Sequence, residues 1–218
     1  MTKLFSIKVI IWDFDGTFYK LIPALKNDVR EAEYRVIVDH AGWSKEKVVE
    51  KFNEIYKKQF KSATQVVAKL SHLSVVQSAI EMEAYYDRTK YLKRDERLIQ
   101  MLMNLSSYTH FLFVNGIKKK IIPALHALGV PEELFAEIVT AELVGDTKPS
   151  LKGFQYILDK TQQPVETHLM IGDRIDVDLI PAKKLGMKTC LVWSTEKHPA
   201  ADVSIPTVYD VFEVLASM

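Results

Sequence analysis

Between Trp43 and Asn115 the chain has neither glycine nor proline, although its 218 residues contain eight of each. Both residues interrupt helices or mark turns, so this stretch is expected to be almost continuously helical. Its apolar positions agree: Val48, Val49, Phe52, Ile55 and Tyr56 recur at helical spacing, as do Ala79, Met82, Tyr85 and Tyr86. Ser44, after Gly42 and before Glu46 and Lys47, is placed as an N-cap.

The flanks have another pattern. Ile7 to Trp12 is a short, mostly apolar run, as in a buried parallel strand. Beyond the helical middle, apolar runs alternate with helical segments. Strands are expected at 111–114, 137–140, 168–171 and 189–193. The helices run through Leu125 and Leu128, around Phe154 to Leu158, through Leu179 to Leu185, and from Val208 to Leu215. Such alternation implies an α/β fold, a doubly wound parallel sheet with helices on both faces. The helical stretch then becomes an insert of residues 21–92 in a discontinuous core of residues 1–20 and 93–218. Hinges are expected near Tyr19 to Pro23 and Lys93 to Asp95.

In open sheets of this kind, ligands sit beyond the carboxyl ends of the strands. Asp13-Phe14-Asp15-Gly16-Thr17 follows the first strand, and Asn115-Gly116 the second. Asp146-Thr147-Lys148-Pro149 lies in a later loop, and Gly172-Asp173 follows the 168–171 run, with Asp176 and Asp178 beyond. Several carboxylates and one lysine thus gather at one edge. Carboxylates crowded together are costly to ionise, and a hard cation such as Mg²⁺, which prefers a few oxygen ligands, relieves that cost. In an extended stretch Asp13 and Asp15 point the same way, so one can attack while the other handles a proton. Gly16 permits a sharp turn whose N–H groups face an anion.

The order of these segments resembles the haloacid dehalogenase superfamily of phosphohydrolases, and the insert resembles that superfamily's C1-type cap. The resemblance implies Asp13 as the nucleophile of an aspartyl-phosphate mechanism, Asp15 as general acid and then base, and Lys148 as the balancing charge. It implies Mg²⁺ held by Asp13, the Asp15 carbonyl and Asp173, with Asp178 in support. Asn115, Gly116, Gly16 and Lys148 are the expected phosphate contacts. Members that cleave carbon–halogen bonds lack the second aspartate, so Asp15 favours phosphoryl transfer. The expected enzyme is a phosphatase of a small nucleotide or sugar phosphate.

One position departs from the pattern. The second motif normally supplies a Ser or Thr hydroxyl where Val114 stands. Loss of one donor from an anion site costs about 10²–10³ in rate. Enzymatic hydrolysis of phosphate monoesters accelerates the reaction by up to ~10²¹, so activity survives such a loss. Two alternatives stay open: a catalytically weak or silent binding protein, motivated by Val114, and a phosphomutase.

Other readings are excluded or subordinate. A calcium loop would carry its glycine sixth, whereas Gly16 is fourth. Asp176 has the wrong offset for the last motif and is left as a surface acid or helix cap. Lys118 to Lys120 is expected to be a solvated helix face, and Cys190 a buried small side chain. The six histidines show no metal-ligand spacing. With 29 basic against 28 acidic side chains, no global field draws a polyanion, and no apolar run approaches the ~20 residues of a membrane span. A cytoplasmic protein with a small-molecule phosphate substrate and neither nucleic acid nor membrane as partner is expected.

Overall fold

The computed structural model of the chain describes residues 6–217. The expected core segment 1–20 therefore begins with five residues outside the described part. Six parallel strands form one sheet in the order β3-β2-β1-β4-β5-β6. They are β1 (Val9–Trp12), β2 (Thr109–Phe113), β3 (Glu137–Val139), β4 (His168–Gly172), β5 (Lys188–Val192) and β6 (Val203–Ile205). Between β1 and β2 lie α1 (Pro23–Ala41), α2 (Lys45–Ile55), α3 (Ala63–Ser71), α4 (Val75–Met82), a 3₁₀ turn at Arg88–Tyr91, and α5 (Glu96–Asn104). The remaining helices are α6 (Lys118–Leu128), α7 (Ala141–Val144), α8 (Lys152–Thr161), α9 (Ile180–Leu185) and α10 (Val211–Ser217).

The period of two along β1 divides the core. Ile10 and Trp12 join one apolar cluster with Leu98, Leu125 and Val211, whereas Val9 and Ile11 join another with Phe154, Ile157 and Ala182. Both faces of the sheet are therefore covered, as a parallel sheet requires. A third cluster, with Tyr34, Ile37, Phe52, Val66 and Met82, belongs to α1–α4 alone.

The helical middle is more broken than its composition suggests. Its helices end without glycine: His72 (φ 59°) closes α3, and Lys57 (φ 63°) lies in the turn after α2. A non-glycine residue in the left-handed region ends a helix just as effectively, but leaves no mark in a glycine count. Ser44 caps α2, accepting from the Lys47 N–H at 3.4 Å. The short strand β6, absent from the sequence-based expectation, adds to β5 at the sheet edge. Among the described residues no helix is long and apolar enough to cross a membrane.

Candidate active site

The site begins where β1 ends. Asp13 continues the pairing with β4, its N–H donating to the Ile171 carbonyl at 2.9 Å, and this brings its side chain to the carboxyl edge of the sheet. A tight turn follows, with the Thr17 and Phe18 N–H groups both donating to the Phe14 carbonyl. Gly16 sits in it at φ 92°, and a Cβ there would overlap the Asp173 carboxylate. Glycine is needed both for the turn and for the approach of β4's loop. Thr17, fully buried, donates its hydroxyl to Asp13 Oδ2 at 2.9 Å.

Lys148 enters from the loop between α7 and α8 with no exposed surface. Its Nζ donates to Asp13 Oδ1 at 2.6 Å and to the Phe113 carbonyl at 2.7 Å, and lies 2.8 Å from Asp178 Oδ1. Asn115 holds this lysine in place: its Oδ1 accepts from the Lys148 N–H at 2.7 Å and its Nδ2 donates to the Lys148 carbonyl at 3.0 Å. The amide expected at a phosphoryl group is therefore turned toward a backbone. Asp178 arrives on a π-helical turn, Ile175–Leu179, a widening that often accompanies functional sites. Its Oδ2 accepts from the Arg174 N–H at 3.1 Å.

One carboxylate oxygen from each of Asp13, Asp173 and Asp178 falls within 4.8 Å of the others. Burial pushes the Asp13 carboxyl up, but the charges of Lys148 and Arg174, with the hydrogen bonds from Lys148 and Thr17, outweigh it and hold the group below its usual value. The other two go the opposite way. Burial and then the Asp13 charge raise Asp178, and raise Asp173 to about 7. One acid is thus kept ionised while its neighbours resist ionisation. Arg174, which the motif reading passed over, lies 3.8–3.9 Å from all three carboxylates. Burial works against its charge, but the three acids more than compensate and raise its pKa.

The carboxylate of Asp15 stands apart from that cluster. It pairs with Arg88 Nε at 3.1 Å and accepts from the Tyr19 hydroxyl. Arg88, only 3% exposed, also donates to Glu83 at 2.6 Å and to the Tyr86 hydroxyl at 2.5 Å. Arg88, Glu83 and Tyr19 carry no sequence motif. Only their burial around Asp15 singles them out.

A cavity of about 360 Å³ lies between this edge and the inserted helices, with Asp13, Asp15, Val114 and Gly116 among its lining. Val114, one residue past β2, is buried and offers no hydroxyl there. Across the cavity are Arg30 and Glu33 of α1 and Ser62 at the head of α3. Burial pushes Glu33 up to about 7 despite its pairing with Arg30 at 2.7 Å.

The structure thus brings together Asp13, Lys148, Asp173 and Asp178, with Gly16 packed against them and Asp15 at the same cavity. Asp176 is half exposed, 3.5 Å from Lys61. Lys118 to Lys120 open α6 and do not line the cavity. Cys190 is buried, its thiol pushed up to about 12 by burial alone.

Comparison with known proteins gives a consistent picture. The family profile described as "Haloacid dehalogenase-like hydrolase" matches residues 10–192. A glyceraldehyde 3-phosphate phosphatase from Methanocaldococcus jannaschii is 25% identical over 226 residues, spanning 97% of this chain and 98% of that protein. Among solved structures, a HAD phosphatase from Thermococcus onnurineus superposes with a TM-score of 0.66 at 21% identity, covering 96% of this chain and 98% of the other. An L-2-haloacid dehalogenase from Xanthobacter autotrophicus with chloropropionic acid covalently bound gives 0.61 at 12% identity, covering 97% and 99%. At those identities the structural likenesses speak for the fold.

Proposed function

This chain belongs to the haloacid dehalogenase-like hydrolase family, and from that premise we propose that it is a metal-dependent phosphatase of small phosphate monoesters. The observation that carries the reading is a pair of carboxylates on one cavity in unlike surroundings. Asp13 is buried and held by Lys148, whereas the Asp15 side chain is 37% exposed and oriented by Arg88 and Tyr19. Transfer of a phosphoryl group to one and of a proton by the other needs that division of roles.

The residues fit a magnesium ion. Asp13, the Asp15 carbonyl and Asp173 would hold it, with Asp178 in support. All three carboxylates supply hard oxygens, and Asp173 Oδ1 is buried with no hydrogen-bond partner among the described residues. When bound, the ion supplies positive charge to the phosphoryl oxygens. The chain's own side chains do the rest. An Asp13 oxygen attacks phosphorus as the bond to the leaving oxygen breaks, and Asp15 passes its proton to that oxygen. An aspartyl-phosphate results. Asp15, now a carboxylate, takes a proton from the water that attacks phosphorus. Phosphate departs, leaving Asp13 ionised and Asp15 protonated. Lys148 balances the charge on Asp13 throughout, and backbone N–H groups near Gly16 and Gly116 receive the phosphoryl oxygens. The helices α1–α4 serve as the cap that excludes water, moving about 19–23 and 93–95.

The test is phosphate release from an aryl phosphate and a panel led by glyceraldehyde 3-phosphate, the substrate in the relatives' name. Turnover is expected with Mg²⁺, and none with EDTA or in Asp13→Asn. Activity that persists in Asp13→Asn removes the nucleophile assignment. No turnover on any compound favours the second reading, a silent binding protein, which rests on Val114 lining the cavity.

A further inference from the structure

Three buried polar groups on the cap side of the cavity have unspent hydrogen-bonding capacity. Ser62, 1% exposed, occupies the N-cap position of α3 but accepts no cap hydrogen bond, and its Oγ has no partner among the described residues. Arg88 Nη1 is buried and has no hydrogen-bond partner among the described residues. Glu33, 4% exposed, lies 2.7 Å from the Arg30 guanidinium, but its Oε2 makes no hydrogen bond among the described residues. Buried polar atoms in a folded protein almost always find a partner, so a group of unmet ones around a cavity marks where a ligand supplies it.

The charges on this wall are already matched. Arg30 pairs with Glu33 at 2.7 Å and stacks over Phe52 and Tyr56, with its guanidinium carbon 4.4 and 4.9 Å from the ring centroids. Arg88 pairs with Glu83 and Asp15. Lys26 also lines the cavity, but it is exposed. What remains inside is the Ser62 hydroxyl, the Glu33 acceptor and guanidinium N–H donors of Arg30, Arg88 and Arg174 whose charges are already paired with carboxylates, a set that suits hydroxyl and carbonyl groups better than a second anion. The volume of about 360 Å³ lies near the low end of the range of about 300–1,000 Å³ for ligand pockets. It suits a phosphoryl group with a short carbon chain, and not one with a sugar and a base.

Resting on the phosphatase reading, we propose that Ser62, Glu33 and Arg88 form a leaving-group subsite that selects short, uncharged, hydroxylated phosphate esters over phosphorylated acids and nucleotides. Ser62 and Arg88 donate to the leaving group's oxygens, and Glu33 accepts from its hydroxyl while keeping Arg30 neutralised. This deepens the expected substrate class by dropping its nucleotide half.

The test compares kcat/KM for glycerol 3-phosphate, glyceraldehyde 3-phosphate, 3-phosphoglycerate and AMP, with an aryl phosphate as reference. It is run at about pH 8, above the range in which Glu33 takes up a proton. The two uncharged esters are expected to lead. Ser62→Ala is expected to lower the ratio of glycerol 3-phosphate to aryl phosphate by roughly 2- to 12-fold, the range for one neutral hydrogen bond, mostly through KM. Glu33→Gln frees the Arg30 charge and is expected to raise the relative rate on 3-phosphoglycerate at least about 10-fold. Ser62→Thr, which retains the hydroxyl, is expected to preserve the ratio. A wild-type preference for the acid or for AMP overturns the proposal, as does an equal loss on every substrate in Ser62→Ala.

Binding keeps the subsite testable if no substrate turns over. By calorimetry on Asp13→Asn, adding Ser62→Ala is expected to weaken glycerol 3-phosphate but not inorganic phosphate. Equal weakening of both overturns the subsite, whereas absent turnover with this selective loss overturns only the phosphatase reading.

Discussion

Replacing Lys148 by methionine keeps most of the side chain's length and apolar volume but removes its charge from a fully buried position. In the native protein that charge lies 2.6 Å from Asp13 and 2.8 Å from Asp178, two acids that are 2% and 0% exposed. The nearest remaining cation is Arg174, at 3.9 and 3.8 Å, and it already serves Asp173 as well. Removing one partner of a buried pair costs about 3–5 kcal/mol, which for a chain of this size corresponds to a fall in Tm of roughly 6–20 °C. The cost depends on pH with a definite sign. Native Asp13 titrates below its ordinary value, so its pairing contributes stability above that value and loses it as pH falls through the lowered native pKa. Without Lys148, burial is opposed less and raises Asp13, so the variant instead loses stability as pH rises above about 4. The gap between the two proteins must therefore widen from acid to neutral pH. Urea unfolding followed by tryptophan fluorescence in EDTA, at about pH 5 and about pH 7.5, measures it. A loss under about 1 kcal/mol at the higher pH, or an equal loss at both, would refute the assignment of Lys148 as the counter-charge.

Other perturbations probe the remaining parts. Val114→Thr places a hydroxyl on the cavity wall and is expected to raise kcat by up to about 10²-fold; an unchanged kcat in the phosphate-release assay shows that the missing donor is already replaced. Gly16→Ala forces a side chain onto φ 92° and against Asp173, with an expected loss of about 1–3 kcal/mol; if Mg²⁺ is held as proposed, the native protein is expected to gain Tm with the ion and the variant to lose that gain, read from melts with and without it. His110 and His168 are both held below their ordinary value, chiefly by burial. The unfolded chain therefore binds protons that the native state refuses, and stability is expected to fall as pH drops below about 6.5. Trp12 Nε1 can only donate, so His110 Nδ1 accepts from it at 2.9 Å and His110 Nε2 donates to the Leu105 carbonyl at 2.8 Å. A flattened pH dependence of the unfolding free energy in His110→Asn checks this.

The sheet was legible because buried parallel strands are short apolar runs, and the chain places a chemically distinctive residue after several of them. Asp13 follows β1 and Asp173 follows β4, adjacent strands in the sheet. Strand ends differed by one or two residues: β2 begins at Thr109 and not at Phe111, and β1 at Val9 and not at Ile7. The breaks inside the helical middle were not legible. Helix ends at Tyr56 and His72 use ordinary residues, which leave no mark in a count of glycine and proline.

The same division holds at the site. Motif order alone nominated Asp13, Asp15, Lys148, Asp173 and Asp178, because residues following successive parallel strands share one edge whatever the rest of the chain does. Their charge states needed the tertiary structure. Asp13 and Asp173 are chemically identical side chains, and burial raises both; the Lys148 and Arg174 charges with the Lys148 and Thr17 hydrogen bonds outweigh it at Asp13, whereas the Asp13 charge adds to it at Asp173. Asn115 shows the limit from the other side: its position in the motif suggested an anion contact, and its amide instead clamps the Lys148 backbone. Arg88, Glu33 and Ser62 come from the insert and carry no motif. They matter because folding buries them against one cavity with hydrogen bonds unmet, and desolvation depends on what surrounds a group, which neighbours in sequence do not determine.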